Sequence, residues 1–514
     1  MKERVLKIIQ DKLECTFNDL EKEIHFSSSK EFTEMIKAVN ELEEERFIYN
    51  NHNHLYYIDG IHWMVGSARD ISKYEIALYS NDDKVYVPKN KKIKIFDKDE
   101  VLVRLKPELS IVKVLKHNLT NITGVIIPKK NKTVFFSDLD LHCKIHVMNV
   151  KEFNIKKRTK VVCQIVKYTD PLQVKIIQSL GHPEDAGVDI SAMLTSAQVR
   201  QVFSNKIVKE CKKIPSKVLE SDMKNRKDLR NLLTITIDGD DAKDFDDAIS
   251  LKKNENGYLL YVHIADVSYY VKENSALDQE AYLRGNSIYV CDRVVPMLPF
   301  DLSNGICSLN PNVDRLTLTC AMQLNKNCEV KNYSIFPSLI HSDCRCTYKK
   351  VNLCLNHDES SLIEYSCCKD MLFELEKVCR KLNNLSHKRG CIDFNTKEAK
   401  IELNKNGYPV NVFVYQRGFA EQMIEECMIL ANVCVAHYLH ANKIPGMYRV
   451  HEYPDPKKVS KLCMAANALR IPFDFYPDEV EAKQIQGFLE SIENENDFEV
   501  LSMMALRSMQ KAKY

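Results

Sequence analysis

The sequence predicts a multidomain α+β chain, with an N-terminal winged helix, two small OB-type β-barrels and then a larger mixed α/β domain. Three observations carry this. Helical spacing fills the first sixty residues, short alternating runs broken by polar turns follow, and an acid-rich loop between two apolar strand-like runs opens the longest stretch. At 514 residues the chain is long enough for several independently cored domains.

In residues 1–60, Val5, Leu6, Ile8, Ile9 and Leu13 suggest one helix and Phe17, Leu20 and Ile24 a second. Ser27, Ser28 and Ser29 cap a third that carries Phe32, Met35, Ile36, Val39 and Leu42. Two β-like runs at 47–49 and 55–58 then read as a hairpin, completing a winged helix-turn-helix. Its third helix holds Glu31, Glu34, Glu41, Glu43, Glu44 and Glu45 against Lys30 and Lys37, which repels phosphate. A protein-contact or RNA-positioning module is expected rather than a DNA reader, and its partner stays unassigned.

Residues 61–118 and 119–182 each read as an OB-like barrel, the first a degenerate cold-shock type. Lys129, Lys130 and Lys132 beside Phe135 and Phe136, with Lys156, Lys157, Arg158 and Lys160 nearby, form the expected basic and aromatic surface. Strand neighbours face opposite ways, so only one of Phe135 and Phe136 can be a stacking platform. The first barrel reads Ser67-Ala-Arg-Asp-Ile-Ser-Lys73 where a glycine- and aromatic-rich strand would stack bases. Residues 181–187 read as a linker, and the larger domain is expected from 183 to 514.

The net charge is only +2, so attraction to nucleic acid has to be local. The N-terminus lacks a signal peptide and no run is long enough to span a bilayer, so a cytoplasmic protein without membrane attachment is expected. The 18 cysteines include no C-x-x-C pair; Cys344/Cys346 and Cys367/Cys368 have the wrong spacing for a zinc knuckle, and reduced, buried thiols are expected. No two of the 14 glycines are two or five apart, which excludes G-x-G-x-x-G and the P-loop.

Asp238-Gly-Asp-Asp-Ala-Lys-Asp-Phe-Asp-Asp247 places six carboxylates in ten residues, after Leu233-Thr-Ile-Thr-Ile237 and before Ala248-Ile-Ser-Leu251. Like charges so close raise one another's pKa unless a cation neutralises them, and hard oxygen ligands suit Mg²⁺ or Mn²⁺. A solvated acidic turn is the plain alternative, but the apolar flanks pin the loop. An EF-hand fails, because Ala242 and Ile249 fall where ligands are needed. The group could hold two divalent ions acting on a phosphodiester.

These residues, followed by His263-Ile-Ala-Asp-Val-Ser268, Val294-Val-Pro-Met-Leu-Pro299, Leu302-Ser-Asn-Gly-Ile-Cys-Ser-Leu-Asn-Pro311 and Tyr448-Arg-Val-His-Glu452, resemble the successive signatures of the ribonuclease II-type (RNB) exoribonuclease family. With a winged helix in front, the order is similar to the ribonuclease R arrangement. The resemblance implies a monomer that degrades single-stranded RNA processively from 3′ ends, releasing nucleoside 5′-monophosphates with Mg²⁺, Mn²⁺ being the alternative ion. It implies that Asp238, Asp244, Asp246 and Asp247 are the catalytic, metal-holding carboxylates, with Asp240 and Asp241 outside that set. Tyr289 and Phe394 are implied as an aromatic clamp on the RNA, and Glu426, with Glu425 as competitor, as a glutamate close to the site. Taken alone, Glu426 would read as a surface residue, and His263 and Asp266 as a structural pair. In the family, helix text like Leu501 to Tyr514 continues into an arginine-bearing motif and a further OB domain. The expectation is therefore a C-terminally truncated RNB domain, with a catalytically impaired RNA-binding product as the alternative reading.

Overall fold

The computed structural model describes all residues except 26–27, 53, 70, 73, 81–82, 91, 130–131, 154, 156, 393–397 and 474, and the side chains at 129 and 132. The chain divides into two compact units, Met1–Val199 with Lys405–Tyr408, and Arg200–Asn404 with Pro409–Tyr514.

In the first unit, helices Lys2–Lys12, Phe17–Ile24 and Ser29–Glu44 pack with a three-stranded sheet of Glu14–Thr16, His54–Tyr57 and Ile48–Asn51, in that order. Thr16 caps the second helix with a full capping box to Asp19, and the Ser28 hydroxyl accepts from the Glu31 amide to start the third. Val5, Ile9, Leu20, Met35, Leu42, Ile48 and Leu55 close the core at helical and strand spacing.

Two five-stranded sheets follow. One is ordered Asp83–Pro88, Glu75–Ser80, Trp63–Arg69, Glu100–Arg104, Ser110–Lys116. The other is ordered Lys132–Ser137, Asn121–Lys129, Thr159–Lys167, Leu172–Gly181, Ile145–Val147. In the second sheet Phe135 packs on the core while Phe136 is 53% exposed, as strand alternation requires. A Cβ on Gly124 would stand 2.5 Å from the Phe135 ring, so only glycine lets that ring lie flat.

The expected boundary at 183 is displaced. Helix Val188–Ser196 buries Val188, Ala192 and Leu194, and the Ser196 and Thr123 hydroxyls hydrogen-bond at 2.6 Å. Gln198 donates to the Asn118 carbonyl at 2.6 Å, so the compact unit runs on to Val199. Burying an apolar helix face there outweighs the linker composition of 181–187.

The second unit is built on a seven-stranded mixed sheet ordered Lys227–Asp228, Val330–His341, Asp314–Asn325, Gly257–Ala265, Asp247–Asn254, Ile235–Asp238, Cys344–Thr347. Its core joins sheet residues Ile235, Ile237, Ile249, Leu260 and Met322 to helices Lys369–Arg389 and Phe419–Ala441. Leu372, Leu375, Cys379 and Leu382 recur at helical spacing along the first, and Met423, Cys427, Ala431 and Cys434 along the second. Three further helices, Pro456–Ala468, Ala482–Glu490 and Glu495–Ser508, enclose a separate core of Val459, Leu462, Ile485, Phe488 and Leu501. The last helix stops at Ser508 instead of running to Tyr514, because the chain turns extended and Lys513 exchanges backbone hydrogen bonds with Val450. Among the described residues, no helix is long and apolar enough to cross a membrane.

Candidate active site

Strand Ile235–Asp238 pairs with Asp247–Asn254 only at Ile235 opposite Ile249. Beyond that pair the two strands part, and the acidic loop fills the opening. On its other side, Ile235–Asp238 runs parallel to Cys344–Thr347 over four residues, which fixes its edge.

Phe245 is the anchor. Its ring is buried among Ala248, Ala265, Leu309 and Ile340, between Asp244 and Asp246 in sequence. Ser308 clamps the same turn, accepting from the Phe245 amide at 2.9 Å and donating to the Lys243 carbonyl at 2.8 Å. The Leu309 amide donates to the Phe245 carbonyl at 2.9 Å. Buried Arg315 holds segment 302–311 in turn, through the Ser308 carbonyl at 2.7 Å and the Gly305 carbonyl at 3.1 Å. From the opposite side, Arg345 donates to the carbonyls of Asp240 at 2.8 Å and Ala242 at 3.2 Å, with its guanidinium 5.1 Å from the Phe245 ring centroid.

The carboxylates so held perturb one another. Burial pushes Asp247 up to about 6, helped by the charges of Asp238 and Asp246. Burial also raises Asp246, with Asp244 and Asp238 adding to it. Asp238 is raised by burial and by Asp244, against the Gly239 amide that donates to it at 2.7 Å. Asp247 Oδ2 is buried without a hydrogen-bond partner. A buried carboxylate oxygen left unpaired among like charges is unfavourable by itself and fits a hard cation.

Tyr289 reaches this group. Its hydroxyl donates to Asp244 Oδ2 at 2.7 Å, a bond that raises the phenol to about 12, while the residue stays 65% exposed. Phe394 lies outside the described residues. Glu426 is buried rather than on the surface, because it falls on the inward stripe of its helix with Met423 and Cys427. It accepts from Asn383 at 3.3 Å and Ser386 at 3.1 Å, on the wall of a cavity shared with Arg389 and His437. Glu425 is exposed and paired with Arg417.

The structure also gathers residues that the sequence reading passed over. Tyr348 is raised by its own burial and then by the charges of Asp238, Asp247 and Glu421. Glu421 accepts from Tyr415 at 2.5 Å, the Gly418 amide at 3.1 Å and Asn352 at 3.1 Å. The charge of Glu421 reaches the tyrosine beside the loop. A Tyr at the strand end and a Glu in a capping box carry no distinctive spacing, so no sequence signal marked them. His263 and Asp266 do not pair. His263 is fully buried and kept neutral, pushed down to about 3, between Thr319 at 2.7 Å and Ser250 at 3.1 Å. Asp266 binds Arg226 at 2.5 Å.

Residues 226–514 match the RNB domain model, and residues 134–204 match a cold shock domain. The chain belongs to the RNB family. The cold-shock match falls on the second barrel rather than the first. Ribonuclease R of Thermotoga maritima is 35% identical over 512 residues, covering 96% of this chain and 72% of that protein. Ribonuclease R 1 of Lactococcus lactis is 35% identical over 463 residues, covering 85% of this chain but only 57% of that protein. Among RNB structures, Mycoplasma genitalium RNase R in complex with ribose methylated single-stranded RNA superposes with a TM-score of 0.79 at 28% identity, over 87% of this chain and 73% of that one. Yeast Ssd1, a pseudonuclease, superposes at 0.63 with 15% identity over 93% of this chain and 64% of that one, a likeness of fold alone. The acidic loop thus sits on a ribonuclease R-type RNB scaffold.

Proposed function

We propose that the chain is a Mg²⁺-dependent exoribonuclease that hydrolyses single-stranded RNA from its 3′ end to nucleoside 5′-monophosphates, in RNA degradation and processing. The observation that carries this is the unpaired buried oxygen of Asp247 among Asp238, Asp244 and Asp246, on a ribonuclease R-type scaffold. The fold by itself does not decide activity, since Ssd1 shares it and is described as a pseudonuclease. The carboxylate set is what favours the active reading.

Asp238, Asp246 and Asp247 would hold the divalent ions, with Asp244 oriented by Tyr289. When bound, Mg²⁺, or Mn²⁺ in its place, would activate a water and stabilise the leaving oxygen. The chain's own contribution is rigidity. Ser308 and Arg345 hold the loop backbone, which limits how far the carboxylates have to move to meet an ion. The exposed Tyr289 ring offers a face on which a terminal base stacks without its identity being read.

The test supplies the 1–514 chain with a 3′-tailed RNA and Mg²⁺, using Asp246→Asn as control. Monophosphate release well above the control is expected. Binding of the RNA with no release above the control would make the chain an RNA-binding protein and overturn the proposal.

A further inference from the structure

The two close cysteine pairs, whose spacing gave no metal motif, meet in space. Cys344 and Cys346 alternate with Arg345 along strand Cys344–Thr347, so both thiols face the helical layer while Arg345 faces the acidic loop. Cys367 and Cys368 lie in the turn between helices Glu359–Glu364 and Lys369–Arg389. The Tyr365 hydroxyl ties that turn to the strand by accepting from the Thr347 amide at 3.0 Å.

The sulfurs of Cys344, Cys367 and Cys368 all lie within 4.8 Å of one another. Cys346 lies outside that set of three but beside it, its Sγ 3.8 Å from that of Cys344 and 4.0 Å from that of Cys368, so as a fourth ligand it would have to move toward Cys367. In a tetrahedral thiolate site with metal–sulfur bonds of about 2.3 Å, neighbouring sulfurs are roughly 3.8 Å apart. Packing of neutral thiols is the competing account, and it suffices for Cys379 and Cys427, two sulfurs 3.7 Å apart in the core. Among the described residues, only Cys344, Cys367 and Cys368 already have all their ligand atoms within 4.8 Å of one another, whereas the carboxylates of the acidic loop stand further apart and would have to draw together around an ion. The cysteine group also has an entry route, because Cys367 is exposed and Cys344 half-buried, whereas Cys346 and Cys368 are buried.

We propose that Cys344, Cys346, Cys367 and Cys368 form a structural site for a soft divalent cation, Zn²⁺. Binding replaces four thiol protons, which pass to solvent, with four metal–sulfur bonds, and no electrons are exchanged. Thiolate ligands select zinc over magnesium, and the carboxylates of the acidic loop have the opposite preference, so the two sites are chemically distinct. The cation would tie the edge strand to the start of helix Lys369–Arg389. That strand pairs Cys346 with Ile237 and Thr347 with Asp238, so the tie lies one residue from the acidic loop.

The full chain is expressed with zinc, isolated under reducing conditions, and its metal content measured after gel filtration. About one zinc per chain is expected, kept by Asp246→Asn and lost from the Cys344→Ser/Cys368→Ser variant. Co²⁺ added alone to zinc-free chain is expected to give thiolate-to-cobalt charge-transfer absorption. Because the double variant could fail to fold, X-ray absorption on the unsubstituted zinc-loaded chain provides the independent reading, with sulfur neighbours at about 2.3 Å expected. A zinc shell of oxygen, zinc lost in Asp246→Asn but kept in the cysteine variant, or a chain that retains neither zinc nor cobalt would each overturn the proposal.

Discussion

Asp247 is the residue at which the loop's electrostatics are most exposed to experiment. Burial holds it near 6 against an ordinary 3.8, and Asp238 and Asp246 add to the rise. Between those values the folded chain keeps a proton that the unfolded chain has released. The stabilisation is therefore complete below the unfolded value and is lost as pH rises through about 6. Without metal, the Tm of the unsubstituted chain minus that of Asp247→Asn should fall between about pH 4 and pH 7. Added Mg²⁺ should restore it at the upper end more than at the lower, because cation and proton compete for the same oxygens. A difference independent of pH, measured by thermal unfolding in matched buffers, would contradict the assigned burial. Asp247→Asn should also lose the Mg²⁺-induced rise in Tm, which separates ion binding from general salt effects.

At the level of elements, the loop is a clamp between segment 302–311 and strand Cys344–Thr347. Removing the Ser308 hydroxyl leaves the Phe245 amide and Lys243 carbonyl unpartnered, at a cost of about 1–3 kcal/mol. Ser308→Ala should lower chemical stability by that amount in denaturant titration and weaken Mg²⁺ binding, while changing no carboxylate. Phe245→Ala should cost more, about 3–5 kcal/mol, since it empties a buried aromatic site. Equal metal affinity in both variants and the parent would show that the clamp does not set the loop. The acidic loop was legible because charge density between two apolar runs is a local signal. So were the first three helices and the Phe135/Phe136 alternation, which follow from caps and periodicity. Ser308, Arg345, Tyr348 and Glu421 were not, because tertiary packing of a turn, a strand and two helices across roughly 60 to 180 residues of sequence brings them to the loop, and no local pattern encodes that. The cysteine cluster escaped for the same reason. The position of Glu426 was misread because a short apolar stripe does not say which face of a longer helix is buried.

For the whole molecule, charge and exposed aromatics set how RNA binding responds to salt. With 73 basic and 71 acidic residues, no general field draws phosphate in. Part of the expected basic surface is already committed, Lys160 to Asp138 at 2.5 Å and Arg158 to Glu184 at 3.5 Å. Each phosphate neutralised on a single strand contributes about −0.7 to the slope of log affinity against log salt. A chain engaging about four phosphates should therefore show a slope near −3, which fluorescence anisotropy on Asp246→Asn with a labelled single strand can measure. Stacking adds an affinity component that salt does not screen. Tyr289→Ala in that background should weaken binding roughly tenfold, from about 1–3 kcal/mol per stacked base, and leave the slope unchanged. A slope of about −6 or steeper would mean that basic side chains dominate the interface. A slope that flattens with the tyrosine removed would mean that its ring positions phosphate contacts instead of holding a base.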